Sequence, residues 1–307
     1  MSNGVYTQSS LRFSRSVVKL LRIKQWVKNL FLFIPSFFAG QIFDADKLLL
    51  LTLGFLAFSL VASGIYVLND IRDIEEDRRH PKKWNRILAS GRIGENHAVL
   101  IMLLCFTIGI TAAVLIDLKF AFIVGLYFLV NLSYCFGLKQ IAILDVMLIS
   151  LGFVLRIEAG GAIAEVAVSR WLIIMVYLLA LFLAFAKRRD DVLISNDTGR
   201  EVRKASRNYN LQFLNAVIVL ICTTTIVAYL MYALSSEVMS RLESDEVYYT
   251  AVFVVAGIIR YLQLIFVHNN TGMPTRLLYE DRFIQSSLLL WVLSFFLLIY
   301  LPDFAIF

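Results

Sequence analysis

Residues 48–77 read LLLLTLGFLAFSLVASGIYVLNDIRDIEED. No side chain is charged from Leu48 to Leu68, and that length suits a membrane-spanning helix, which needs about 20 mostly apolar residues. Directly after it stand Asn69, Asp70, Asp73 and Asp77. If the helix continues through residue 77, at about 100° per residue, these four and Tyr66 fall within an arc of roughly 100°. Like charges at i,i+4 repel each other, so three carboxylates on one stripe make a poor solvated surface. They make a good site for a hard cation. Mg²⁺ prefers oxygen ligands, keeps several waters, and is typically held by one or two carboxylates together with phosphate oxygens. The competing reading is a solvated helix end balanced by Arg72, Arg78 and Arg79. The stripe begins inside the apolar run, where polar groups are costly and usually functional, which favours a metal–phosphate site.

The same apolar character extends along the whole chain. Of its 307 residues 59% are hydrophobic, against about 45–50% in soluble domains, and the mean hydropathy is +0.75. Nine spans are expected, at 26–43, 48–69, 97–116, 120–136, 141–163, 171–186, 211–234, 249–267 and 285–302, with Pro35 interrupting the first. The expected fold is therefore all-α, a single membrane domain over 1–307. Residues before the first span are polar and basic without a small-residue cleavage site, so no cleavable signal peptide is expected. Cys105, Cys135 and Cys222 are scattered, odd in number and without metal spacing, as core residues are.

Lys and Arg divide unevenly between the two sets of gaps. Twenty-three fall in the N-terminal segment through Lys28 and in the gaps 70–96, 137–140, 187–210 and 268–284. The alternate gaps hold four, Lys47, Lys119, Arg170 and Arg241. Basic residues concentrate on the cytoplasmic side, which predicts the N-terminus inside and a multi-pass protein of the cell membrane. The asymmetry also accounts for the net charge of +6 without nucleic acid, for which a basic soluble domain would be expected.

The basic residues of that face are phosphate candidates. After the acid stripe come HPKKWNR residues Lys82, Lys83 and Arg86, suited to phosphate as point charge or two-pronged donor. After the sixth span, FAKRRDDV places Lys187, Arg188 and Asp191 within one arc of about 100°. Arg189 and the later Arg200, Arg203 and Lys204 are read as ordinary positive flanking, whereas Lys187 and Arg188 are kept as a second phosphate site. Arg156 lies inside the fifth span, three turns from Asp145 and near Glu158, and is either their buried partner or a cavity residue. Lys139 is the one base on its short gap, and Lys28 lies at the mouth of the first span beside Trp26, itself expected as an interface anchor. Arg260 has no evident role, and His97 and His268 have no partners at metal spacing. No nucleophile elbow, Walker A sequence or HExxH occurs.

With its spans and NDIRDIEED after the second, the chain resembles the UbiA superfamily of intramembrane prenyltransferases over nearly its whole length. QWVKN, HPKKWNR, YCFGLK and LRIEAGG look more like the decaprenyl-phosphate phosphoribosyltransferase branch. So does KRRDD, which stands where ordinary members carry a second acid pair. Ile87 departs from the Arg-Pro pair common in that branch. The resemblance implies transfer of 5-phosphoribose from phosphoribosyl pyrophosphate to a polyprenyl phosphate, with release of pyrophosphate. It implies Mg²⁺ on Asn69 and Asp73, with Asp70 and Asp77 direct or through water. Tyr66, Lys28, Lys83 and Arg86 would hold the donor, and Lys139, Arg156, Lys187 and Arg188 the phosphates. The lipid tail would lie in a groove between helices, and a homo-oligomer is allowed for. The main alternative moves a prenyl chain from its diphosphate to an aromatic acceptor. KRRDD argues against that reaction, which needs two acid clusters. A transporter of anions would place its charges at the bilayer midplane, whereas these cluster at helix ends.

Overall fold

The computed structural model describes residues 14–79, 83–198, 208–242, 244–267 and 280–301, so Lys82, Arg200, Arg203, Lys204 and His268 lie outside it. Every regular element among the described residues is helical. Eight helices are long and apolar enough to cross a membrane. They are α1 (Ala45–Arg72), α2 (Glu95–Ile116), α3 (Leu118–Cys135), α4 (Leu144–Ala164), α5 (Arg170–Thr198), α6 (Leu211–Ala233), α7 (Ala251–Phe266, entered through a 3₁₀ turn at Val247–Thr250) and α8 (Arg282–Tyr300).

Short polar side chains start several of them. Asp44 accepts from the backbone N–H of Asp46 and Lys47 ahead of α1, both at 3.1 Å. Asp117, Asn210 and Asp281 cap α3, α6 and α8 in the same way, at 2.6, 2.7 and 2.9 Å. Each cap satisfies backbone donors that a helix start leaves without intrahelical partners. Between caps the helices carry large apolar side chains outward, among them Leu100, Leu103, Leu104 and Ile108 of α2. A hydrocarbon surrounding tolerates such a surface, as water does not.

Two expectations change in detail. The first span, 26–43, is not one long helix: Ile23–Phe33 is 3₁₀ and Ile34–Phe38 is a short α-helix. Pro35 sits in the first turn of that second piece. Proline lacks an N–H and clashes with the carbonyl four residues back, so it opens a helix more readily than it continues one. The second helix does not run unbroken through residue 77 either. It ends at Arg72, Asp73 caps it, and Ile74–Arg79 forms a separate helix. Glu75, Glu76 and Asp77 fill the first turn of that piece, where a helix start favours negative charge. The N–H of Asp77 still donates to the carbonyl of Asp73 at 2.8 Å, so the stripe survives the break.

The chain divides into two compact units, Met1–Gly137 with Leu155–Ala167, and Leu138–Val154 with Val168–Phe307. In the first, α1 packs chiefly against α2, and both contact α3. Leu20, Val67, Ile74, Ile87, Leu88, Ile93 and Ala98 form a small core that fixes the loop after Ile74–Arg79 to the end of α1. In the second, α5 packs on α6 and α7 on α8, around a core that includes Phe182, Phe185, Ile218, Tyr261 and Ile265.

Gly160, in the α4 portion of the first unit, lies against the chain at Leu32, where an added Cβ would come within 2.0 Å of the Leu32 carbonyl oxygen. Backbone cannot swing aside as a side chain can. Gly160→Ala is therefore expected to cost about 1–3 kcal/mol, the usual penalty of overpacking. The measurement is the unfolding temperature in detergent, and an unchanged value would show that segment 23–38 shifts freely.

Candidate functional site

The acid stripe folds into two parts. Asn69 and Asp73 are half-exposed, and the Asn69 amide N–H donates to Asp73 Oδ2 at 2.9 Å. Asp70 and Asp77 are buried, and a single Arg86 nitrogen donates to both, at 3.2 Å and 2.7 Å. Arg22 donates to the same Asp70 oxygen, and its guanidinium stands 5.1 Å from the centre of the Tyr66 ring. Buried carboxylates are stable only when charge and hydrogen bonds compensate them, and the two arginines supply both.

Sequence reading missed Arg22. Nothing in its neighbourhood marks it, because it precedes the first apolar run and looks like positive flanking. Its backbone is left-handed, φ 51° and ψ 45°, a conformation that costs a non-glycine residue about 1–2 kcal/mol. Such a residue persists where its surroundings hold it; here the grip is Asp70 on one side and the Tyr66 ring on the other.

Arg156 is buried and meets neither of its expected partners. Its Nε donates to Asn29 Oδ1 at 2.8 Å and a terminal nitrogen donates to the Tyr127 hydroxyl at 2.9 Å. Its carbon centre is 4.8 Å from the Tyr127 ring centre and 5.3 Å from that of Phe58. Asp145 shares its helix face but lies eleven residues away, about 16 Å along the axis, beyond any salt bridge. The Asn29 amide in turn donates to Ser59 Oγ at 2.8 Å. Trp26, expected at the membrane interface, donates to Ser63 Oγ at 3.0 Å. Neither Asn29 nor Tyr127 could be found by hydropathy, since a polar residue in an apolar run does not announce its partner.

Lys28 is partly buried, with the charges of Arg156 and Arg22 nearby. Cations crowded in this way lose repulsion when an anion joins them. Lys83 lies half-exposed on the loop before Arg86. Arg72 donates to the Cys135 carbonyl at the end of α3 and lies over the Phe136 ring at 4.2 Å, a helix-closing role. Arg78 pairs with Glu75 at 2.7 Å on an exposed face, as expected of solvated flank.

In the second unit, Arg188 is 1% exposed and Asp145 is 0% exposed. Arg188 Nε donates to Asp145 at 2.7 Å, and another of its nitrogens donates to Asp191 at 3.0 Å. The Tyr209 hydroxyl donates to the other Asp145 oxygen at 3.3 Å and accepts from the Ile143 N–H. Lys187 is exposed, and Lys139 sits partly exposed on the 3₁₀ turn Leu138–Gln140. Arg260, without a role in the sequence, pairs with the α8 cap Asp281 at 2.8 Å. Cys105, Cys135 and Cys222 are free and buried, as expected.

Among the described residues no group of three or more His, Cys, Asp or Glu side chains could hold a metal by itself. The donor chemistry nonetheless fits Mg²⁺. Asp73 offers a carboxylate beside Asn69, whose amide nitrogen faces it while the amide oxygen accepts from the Cys135 thiol at 3.7 Å; both side chains carry hard oxygens, and this ion takes few protein ligands when phosphates and water complete its shell. Zinc or a cluster metal would ask for nitrogen or sulfur ligands, which this pair lacks.

Comparison with known proteins bears on both fold and site. The profile of the UbiA prenyltransferase family matches residues 30–288. Decaprenyl-phosphate phosphoribosyltransferase of Corynebacterium glutamicum is 30% identical over 289 residues, 93% of this chain and 87% of that protein. Its counterpart from Mycolicibacterium smegmatis is 32% identical over 286 residues, 90% of each. A UbiA homolog from Archaeoglobus fulgidus, solved with GPP and Mg²⁺, superposes with a TM-score of 0.69 at 18% identity, covering 92% of this chain and 99% of that one. A multi-pass helical chain with this acid stripe, matched from residue 30 to 288, belongs to the UbiA prenyltransferase family.

Proposed function

We propose that the protein transfers 5-phosphoribose from phosphoribosyl pyrophosphate to a polyprenyl phosphate, as one catalytic domain of the cell membrane. Its N-terminus and site face the cytoplasm in this reading, which the lysine and arginine asymmetry supports. The observation that carries the assignment is the acid stripe clamped by arginines. Asp70 and Asp77 share Arg86, while the Asn69 amide donates to Asp73 beside them. Such a site suits a diphosphate held together with a metal ion. The relatives named for phosphoribosyl transfer, similar over about nine-tenths of the chain, support the same substrate.

Asn69 and Asp73 would hold Mg²⁺, with Asp70 and Asp77 acting through water or through their arginines. When bound, the ion neutralises the negative charge that grows on departing pyrophosphate. Tyr66, Lys28, Lys83 and Arg86 hold the donor. Arg156, fixed by Asn29 and Tyr127, presents a buried guanidinium to phosphate oxygens. In the second unit Lys139, Lys187 and Arg188 are assigned to phosphate. Arg188 brings its own counter-anions, Asp145 and Asp191, with which a bound phosphate competes. In the reaction an oxygen of the lipid phosphate attacks C1 of the ribose. The bond from C1 to the pyrophosphate oxygen breaks, and pyrophosphate leaves with the electron pair. The lipid phosphate is already an anion near neutral pH, so no strong general base is needed.

Purified protein given Mg²⁺, phosphoribosyl pyrophosphate and a polyprenyl phosphate should release pyrophosphate and form a phosphoribosylated lipid. No product from these substrates, with turnover of a prenyl diphosphate and an aromatic acid instead, would sink the assignment.

A further inference from the structure

Beside Asp70 the first unit has a pocket of about 280 Å³, lined among others by Lys19, Arg22, Asn85, Arg86 and Arg92. Four bases thus face one carboxylate. Arg22 and Arg86 are already compensated, since both donate to Asp70 and Arg86 also to Asp77. Lys19 and Arg92 are not: neither makes an ion pair with a described residue, and Arg92 donates to the neutral Asn85 side chain. Two uncompensated cations around a concave site match a group of charge near −2. A phosphate monoester carries about −1.5 to −2 near neutral pH and offers three acceptor oxygens. Leu20 and Ile87, which also line it, belong to the small core that ties the loop to α1.

We infer that this pocket is a phosphate-monoester subsite, and that it takes the 5-phosphate of the sugar donor. The inference rests on the function proposed above. The diphosphate end goes to Asn69 and Asp73; Asp70, the next residue after Asn69, opens on the pocket. Lys19 and Arg92 are then specificity residues that favour a phosphorylated sugar over a prenyl diphosphate, whose far end is apolar. Neither is marked in the sequence as more than flanking charge.

The test substitutes Lys19→Gln and Arg92→Gln, singly and together, in the full-length protein; both side chains are exposed, so folding is not at stake. Four constants are measured: KM for phosphoribosyl pyrophosphate, KM for polyprenyl phosphate, and the inhibition constants of ribose 5-phosphate and of pyrophosphate with Mg²⁺. Each substitution should raise the donor KM and the ribose 5-phosphate constant about tenfold, the scale of one charge-assisted hydrogen bond. The pyrophosphate constant and the acceptor KM should move less than about threefold, since uniform binding is lost only for the 5-phosphate end. A parallel rise for pyrophosphate would place the diphosphate in the pocket and overturn the assignment. So would a rise in acceptor KM alone, or loss only of activation by anionic lipid in nanodiscs, which would name a lipid phosphate as occupant. Unchanged constants would also overturn it. If the unaltered protein does not turn over phosphoribosyl pyrophosphate, the proposed function fails first; if it does and the variants match it, only the subsite fails.

Discussion

Asp73→Ala should lower turnover by at least about 10³-fold, or ~4 kcal/mol of transition-state stabilisation, while the protein stays folded. Asp73 is half-exposed and closes α1 through its backbone, its N–H donating to the Asn69 carbonyl at 3.0 Å, a bond that alanine keeps. What alanine removes is the carboxylate beside the Asn69 amide. Asp73→Asn separates charge from shape: it keeps a side-chain oxygen but loses the negative charge and should be nearly as inactive. Pyrophosphate release at saturating Mg²⁺ measures both, with an unfolding curve to show that the fold persists. Near-normal activity of the alanine variant would refute the metal assignment.

The second large effect concerns stability. Asp145→Leu leaves Arg188 buried without its principal carboxylate, and breaking a buried pair from one side usually costs about 3–5 kcal/mol. The Tyr209 hydroxyl loses an acceptor as well. Thermal unfolding in detergent should show a large fall for Asp145→Leu and recovery of most of it in Asp145→Leu with Arg188→Met, because the stranded charge is then gone. If the single variant unfolds like the parent, water reaches the pair and it is not truly buried. Activity discriminates further. A refolded double variant that still lacks turnover supports Arg188 as a phosphate ligand, whereas full activity confines it to holding the second unit together.

Hydropathy made eight of the helices legible, because a run such as Leu48–Leu68 has no other stable environment. It failed at Ile23–Phe38, where length and apolarity are adequate but Pro35 and the 3₁₀ geometry are local matters that a window average does not register. The acid stripe was legible for a different reason. The spacing of Asn69, Asp70, Asp73 and Asp77 survives the break at Asp73, so counting residues still brings Asp70 and Asp77 to the same arginine. Partners far apart in sequence were not legible. Arg22 reaches Asp70 across 48 residues and Arg188 reaches Asp145 across 43. Periodicity along one helix says nothing about which other helix arrives. It also misled over Arg156, for which sharing a face with Asp145 counted while the distance along the axis did not.

Helix α4 has a consequence for how the chain is made. Arg156 bonds to residues that precede it, Asn29 by 127 positions and Tyr127 by 29. When the ribosome delivers Arg156 to the membrane these two partners are already synthesised, and the charge can enter with both in place. Asp145 is in the opposite position, since Arg188 comes 43 residues after it. It stands second in α4, at the helix end, where a carboxylate can stay hydrated until α5 emerges. The order of synthesis thus gives the deep charge its partners early and leaves the late pairing at the end where waiting costs least.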